Sequence, residues 1–173
     1  MSDALLIGGA MFVAALLQSA LFSSMEVLGG TPDLLLVLLL GIALLRGSLT
    51  GAVAGFFGGF VLDVATMGTL GVTALLLTLA GYWAGRYGET TGRDRFHAPI
   101  LSVLVLTVLT TAAGYALYFM LGEDLSARHA LIDSLLPTLG LNLLVAAPVF
   151  ALCRTLLTRG EGGAVTPEVR LLG

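Results

Sequence analysis

Charge is spread unevenly along this chain, and that unevenness constrains the fold more than any motif. Ala4–Met25, Val64–Gly85, Phe96–Gly122 and Ser134–Cys153 contain no Asp, Glu, Lys or Arg. Each is long enough, at about 20 residues, to cross a hydrocarbon core of about 30 Å as a helix. An ionised side chain at mid-depth is costly, whereas Leu, Val and Phe are favoured there, so the gaps between charges read as membrane spans. Two further intervals are shorter: twelve uncharged residues separate Asp33 from Arg46, and sixteen separate Arg46 from Asp63. Only 11% of the chain is charged. An average soluble domain carries about 25%, so lipid rather than water is the main solvent.

Orientation follows from the eight basic residues, all of them arginine. Suppose six segments cross, at approximately 4–24, 32–45, 47–66, 69–86, 98–121 and 135–157, with the N-terminus cytoplasmic. Arg46, Arg86, Arg93, Arg95, Arg154, Arg159 and Arg170 then fall inside and only Arg128 falls outside, a strong positive-inside bias. The alternative, a re-entrant hairpin over 32–62, would strand Arg46 at membrane depth. The expected architecture is all-α: a polytopic membrane protein with six transmembrane helices in one domain, residues 1–159. Both termini are cytoplasmic, and a flexible glycine-rich tail covers 160–173. The start of the chain lacks the basic region of an export signal and reads as a retained helix. Without a basic stripe, nucleic acid is excluded as a partner. Cys153 stands alone, in an apolar run, and makes no internal disulfide.

The second segment has a start signal: Thr31 as N-cap, Pro32 at the first helical position and Asp33 at the positive end of the helix dipole. Within the third, Gly47, Gly51, Gly55 and Gly59 recur every four residues, and Asp63 continues the same ridge. Absent side chains let another helix approach closely in lipid. The ladder therefore serves packing within the chain or an interface with a partner or a second copy. Arg46 occupies the cytoplasmic turn between these helices. Asp33 and Asp63 fall at one level near the outer face, as helix-end polar groups, a cation site or an acid–base pair. Gln18 and Asn142 lie deep in their spans, with Thr107, Thr110 and Thr111, and are expected to hydrogen-bond across helices or to their own carbonyls. Pro137 and Pro148 bracket the last span, and Glu123–Leu136 is expected to form an amphipathic interfacial helix ahead of it. Tyr82, Trp83 and Tyr87 read as an interfacial aromatic belt. His97 and His129 lie in connectors on opposite sides of the membrane. No catalytic set, metal site or cofactor motif emerges.

Taken in order, Thr31-Pro32-Asp33 before a short Leu-rich helix, Arg46-Gly47 at its turn, the ladder through Gly59 to Asp63, then Gly68, Gly71 and Gly81-Tyr82 resemble the rod shape-determining protein MreD family. The resemblance implies a non-enzymatic protein of the bacterial inner membrane. Such a protein binds MreC and, through that complex, meets MreB, RodA and a class B penicillin-binding protein. It also implies a fold similar to the substrate-binding subunits of energy-coupling-factor transporters, and it makes Pro32, Asp33, Arg46, Gly55, Gly59 and Asp63 structural or partner-contact positions. Membrane lipids and a second copy of the chain are further expected contacts.

Two other functions compete. One is a solute-binding subunit of an energy-coupling-factor vitamin transporter, with Asp33, Asp63 and Asn142 near its pocket and Ala10 and Ala14 on a docking helix. The other, lipid hydrolysis or transfer by Asp33 and Asp63, lacks a nucleophile or metal cluster to support it.

Overall fold

The computed structural model describes residues 2–22, 31–91, 98–122 and 127–158. Regular structure among the described residues is entirely helical. Helix α1 (Ser2–Leu17) continues as a π-helical turn over Gln18–Phe22 and is followed by α2 (Leu34–Arg46) and α3 (Ser48–Thr66). Then come α4 (Val72–Thr91), α5 (Ala98–Met120) and α6 (Ala127–Thr158). The tail 160–173 and His97 lie outside the described residues.

The centre of the bundle is α2, which packs against each of the other five helices. Its sequence, LLLVLLLGIALLR, is apolar around its whole circumference, the pattern of a fully surrounded helix. Leu35, Leu36, Leu39, Leu40 and Ala43 are buried accordingly. Its 13 residues make it short. They rise only about 20 Å, too little for a standard span. Four other helical stretches are long and apolar enough to cross a membrane: Asp3–Ala20, Ser48–Thr66, Pro99–Met120 and Leu135–Leu157. Although α4 has the length, its threonines, glycines, Arg86 and Glu89 keep it less apolar than these four.

Two expectations are corrected by α6, a single 32-residue helix that contains both Pro137 and Pro148. The prolines do not bracket the span, and the described part of 123–136 belongs to α6 rather than to a separate interfacial helix. A proline inside a helix forfeits one backbone hydrogen bond, which costs about 3 kcal/mol. Breaking the helix in lipid would expose still more unpaired backbone, so the helix continues.

The closest helix pair is α3 with α4, and the glycine ladder is the reason. Gly47 lies against Gly85, Gly51 against Gly81, Gly55 against Leu77 and Gly59 against Ala74. Each step of four along α3 meets a step of about four in the opposite direction along α4, so the two ridges run antiparallel in register. A methyl group has no room there: a Cβ on Gly59 would lie 2.6 Å from the Cα of Ala74. Gly58, off the ladder, faces Met11 of α1 instead. The aromatic and branched residues of α3, Val53, Phe56, Phe57, Phe60 and Val64, remain exposed on its far side, where lipid would cover them.

Candidate functional site

Among the described residues polar side chains gather at three places, and each ties helix ends together. The first is the start of α2. A helix leaves its first N–H groups without intrahelical partners, and in lipid no water supplies them. Here Asn142 of α6 accepts from the Asp33 N–H at 2.7 Å, and Gln18 Oε1 accepts from the Leu34 N–H at 2.9 Å. Asp33 Oδ1 accepts from the Leu36 N–H at 2.9 Å. Gln18 Nε2 donates back to the Pro32 carbonyl at 3.2 Å, and Asn142 Nδ2 donates to Thr107 Oγ1 of α5 at 3.2 Å. Asn142 is fully buried at 0% exposure, so its bonds have no competitor. Four helices, α1, α2, α5 and α6, converge on this one terminus.

This arrangement corrects the reading of Thr31-Pro32-Asp33. The cap is Asp33, whose backbone (φ −97°, ψ 81°) is non-helical, and α2 begins at Leu34. Thr31 is exposed and makes no cap, and Pro32 precedes the helix and offers its carbonyl to Gln18. A carboxylate one residue ahead of the helix reaches the third N–H, so Asp33 takes the capping role expected of Thr31.

The second place is the α3–α4 hairpin, whose two helices cap one another. Gly47 and Gly71 precede α3 and α4, both at positive φ (95° and 93°), which suits glycine but provides no capping side chain. Asp63, near the end of α3, takes the N–H groups of Gly71, Thr73 and Ala74 at 2.8, 3.3 and 3.3 Å. Glu89, near the end of α4, takes the Ser48 N–H at 2.7 Å and its hydroxyl at 2.9 Å. Those bonds hold the Glu89 carboxyl below its ordinary range, the Ser48 N–H contributing most, with Arg86 at 3.5 Å adding to it. Asp63 is 2% exposed, a helix-end polar group bonded within the fold. It shares no hydrogen-bond partner with Asp33 among the described bonds, so nothing in that network couples the two as acid and base. Glu89 went unnoticed in the sequence because its partner lies 41 residues earlier.

The third place is Arg46, at the end of α2. Its guanidinium contacts Asp3 Oδ2 of α1 at 3.0 Å and donates to the Leu157 carbonyl of α6 at 3.0 Å. Beside it runs a cleft of about 370 Å³ between α1 and α6, floored by Leu34, Leu38 and Ile42 of α2. Ala10 and Ala14 on one wall and Cys153 and Leu156 on the other are apolar, as is the rest of the lining. Among the described residues no group of three or more His, Cys, Asp or Glu is placed to hold a metal ion.

Of the residues singled out in the sequence, Gln18, Asp33 and Asn142 meet in one network, with Pro32 contributing its carbonyl. Gly47, Gly51, Gly55, Gly59 and Asp63 meet α4. Arg46 stands apart from both. Thr110 bonds back to the carbonyls of Leu106 and Thr107 within its own helix. A family model described as rod shape-determining protein MreD matches residues 3–159, which take in the six described helices except for Ser2. No curated protein and no solved structure gives a match.

Proposed function

This chain belongs to the rod shape-determining protein MreD family, and from that premise we propose that it is a non-enzymatic scaffold of the bacterial inner membrane. It binds MreC and thereby couples the wall-synthesising enzymes, RodA and a class B penicillin-binding protein, to MreB filaments. Both termini face the cytoplasm, as the arginine distribution favours. The observation that carries the reading is the family match over residues 3–159. The use of polar groups supports it: Gln18, Asp33, Asn142, Asp63, Glu89 and Arg46 each bond a helix terminus. Groups committed in this way brace a framework rather than turn over a substrate. A vitamin-binding subunit needs polar groups aimed into a cavity, whereas the cleft beside α2 is lined by apolar residues.

The test is co-purification of the tagged chain with MreC from detergent extracts. MreC is expected to be retained through washing and to be lost when an unrelated six-helix membrane protein replaces the bait. A folded chain that fails to retain MreC would remove the scaffold reading. Variants of the ladder do not map the interface in this experiment. Gly55→Leu would drive its side chain into the Leu77 carbonyl, and its expected effect is loss of the fold. Exposed positions such as Leu49, Val53 and Phe56 on α3, or Leu136 and Leu144 on α6, are the informative ones to vary.

A further inference from the structure

We propose that Arg46 is a clasp that sets the separation of α1 and α6, and so opens or closes the apolar cleft between them towards the bilayer. This inference goes beyond the scaffold reading and does not depend on it. It starts from a gap in the packing: the other five helices pack around α2, and α1 and α6 make no extensive contact with one another. The cleft occupies that gap along the length of α2, from Leu34 to Ile42. At its outer end, α1 is bound to the start of α2 through Gln18, and α6 through Asn142. These are buried or half-buried bonds to backbone, and they fix a pivot.

At the cytoplasmic end one side chain links the two helices. Arg46 Nη1 holds Asp3, in the first turn of α1, and Nη2 holds the Leu157 carbonyl, in the last turn of α6. A planar guanidinium with donors fixed in a fork suits this task in a way that an ammonium does not. The Leu157 carbonyl is among the last four of α6, which have no intrahelical partner, so the bond satisfies a real need. Asp3 favours the positive end of α1, and Arg46 favours the negative ends of α2 and α6. Yet the Arg46 and Asp3 side chains keep 21% and 49% of their exposure, so water competes for the pair. Firm attachment at one end and a water-accessible link at the other make a hinge with a releasable catch.

The chain carries its own reporter. Cys153 lies on the α6 wall of the cleft, 3% exposed. A thiol reacts with maleimide only as solvent and reagent reach it. In lipid nanodiscs, with the full chain, N-ethylmaleimide should modify Cys153 slowly, followed by intact mass. Arg46→Gln and Asp3→Asn are expected to react roughly three- to fivefold faster, the population shift that follows loss of a partly exposed ion pair. Arg86→Gln, which removes a cytoplasmic arginine paired with Glu89 instead, is expected to react at the wild-type rate. Equal rates for wild type and Asp3→Asn, or equal acceleration in Arg86→Gln, would overturn the clasp. Should Arg46→Gln fail to fold, Asp3→Asn carries the test, because it leaves the Leu157 bond in place. Spin labels at Leu5 and Leu156 in a Cys153→Ser background give a second reading. Their distance distribution should broaden towards longer values in Asp3→Asn, and an unchanged distribution would again overturn the proposal.

Discussion

Asp63 shows how much one side chain does in a lipid-facing protein. Its carboxylate receives three N–H groups at the start of α4, in a position only 2% exposed. Asp63→Ala would leave these donors without a partner where water barely reaches. An unsatisfied buried donor costs about 1–3 kcal/mol, so the variant is expected to lower the thermal midpoint in detergent by several degrees. Asp63→Asn keeps one carbonyl acceptor and should lose less. A midpoint unchanged in Asp63→Ala would show that the start of α4 finds other partners. The sequence placed Asp63 on the glycine ridge but not in this role. A four-residue spacing reveals which face a residue shares, whereas its hydrogen-bond donors come from the turn that folds back beneath it.

At the scale of elements, the reciprocal caps make α3 and α4 one unit, with Glu89 guarding the end where α3 begins at Ser48. Its pKa is lowered in the folded chain, by the Ser48 N–H first. A depressed carboxylate contributes stability above its ordinary value of 4.5, and that contribution is lost as pH falls through the folded value. Thermal midpoints from pH 7 down to pH 3 should therefore show wild type above Glu89→Gln at neutral pH, with the gap closing below about pH 4.5. A gap that persists at pH 3 would rule out the carboxylate as its source. The sequence made the α3–α4 packing legible, since a row of bare backbone has few uses other than close approach. The start of α2 was less legible: Thr31, Pro32 and Asp33 all carry N-terminal signals, and the bond from the Leu36 N–H to the Asp33 carboxylate decides among them. The two prolines of α6 lie inside one helix, as the expected span over 135–157 already implies, since breaking it in lipid would leave still more backbone unpaired.

For the whole molecule, the charge gaps foretold an all-helical bundle in lipid, and four helices have the length and apolarity to cross. Whether α4 also crosses can be tested from its ends. With Cys153→Ser as background, single cysteines at Met67 and Thr90, both exposed, should differ towards an impermeant maleimide: one reacts in intact spheroplasts, the other only after permeabilisation. Labelling of both from the same side would exclude a crossing by α4. The bonds of α2 also bear on the order in which the protein comes together. The N–H of its cap residue, Asp33, depends on Asn142, 109 residues later, and its final arginine reaches a carbonyl 111 residues further on. Helix α2 is thus completed by α6, and a nascent chain cut short before α6 would present the membrane's quality-control proteases with a core that is built but not closed.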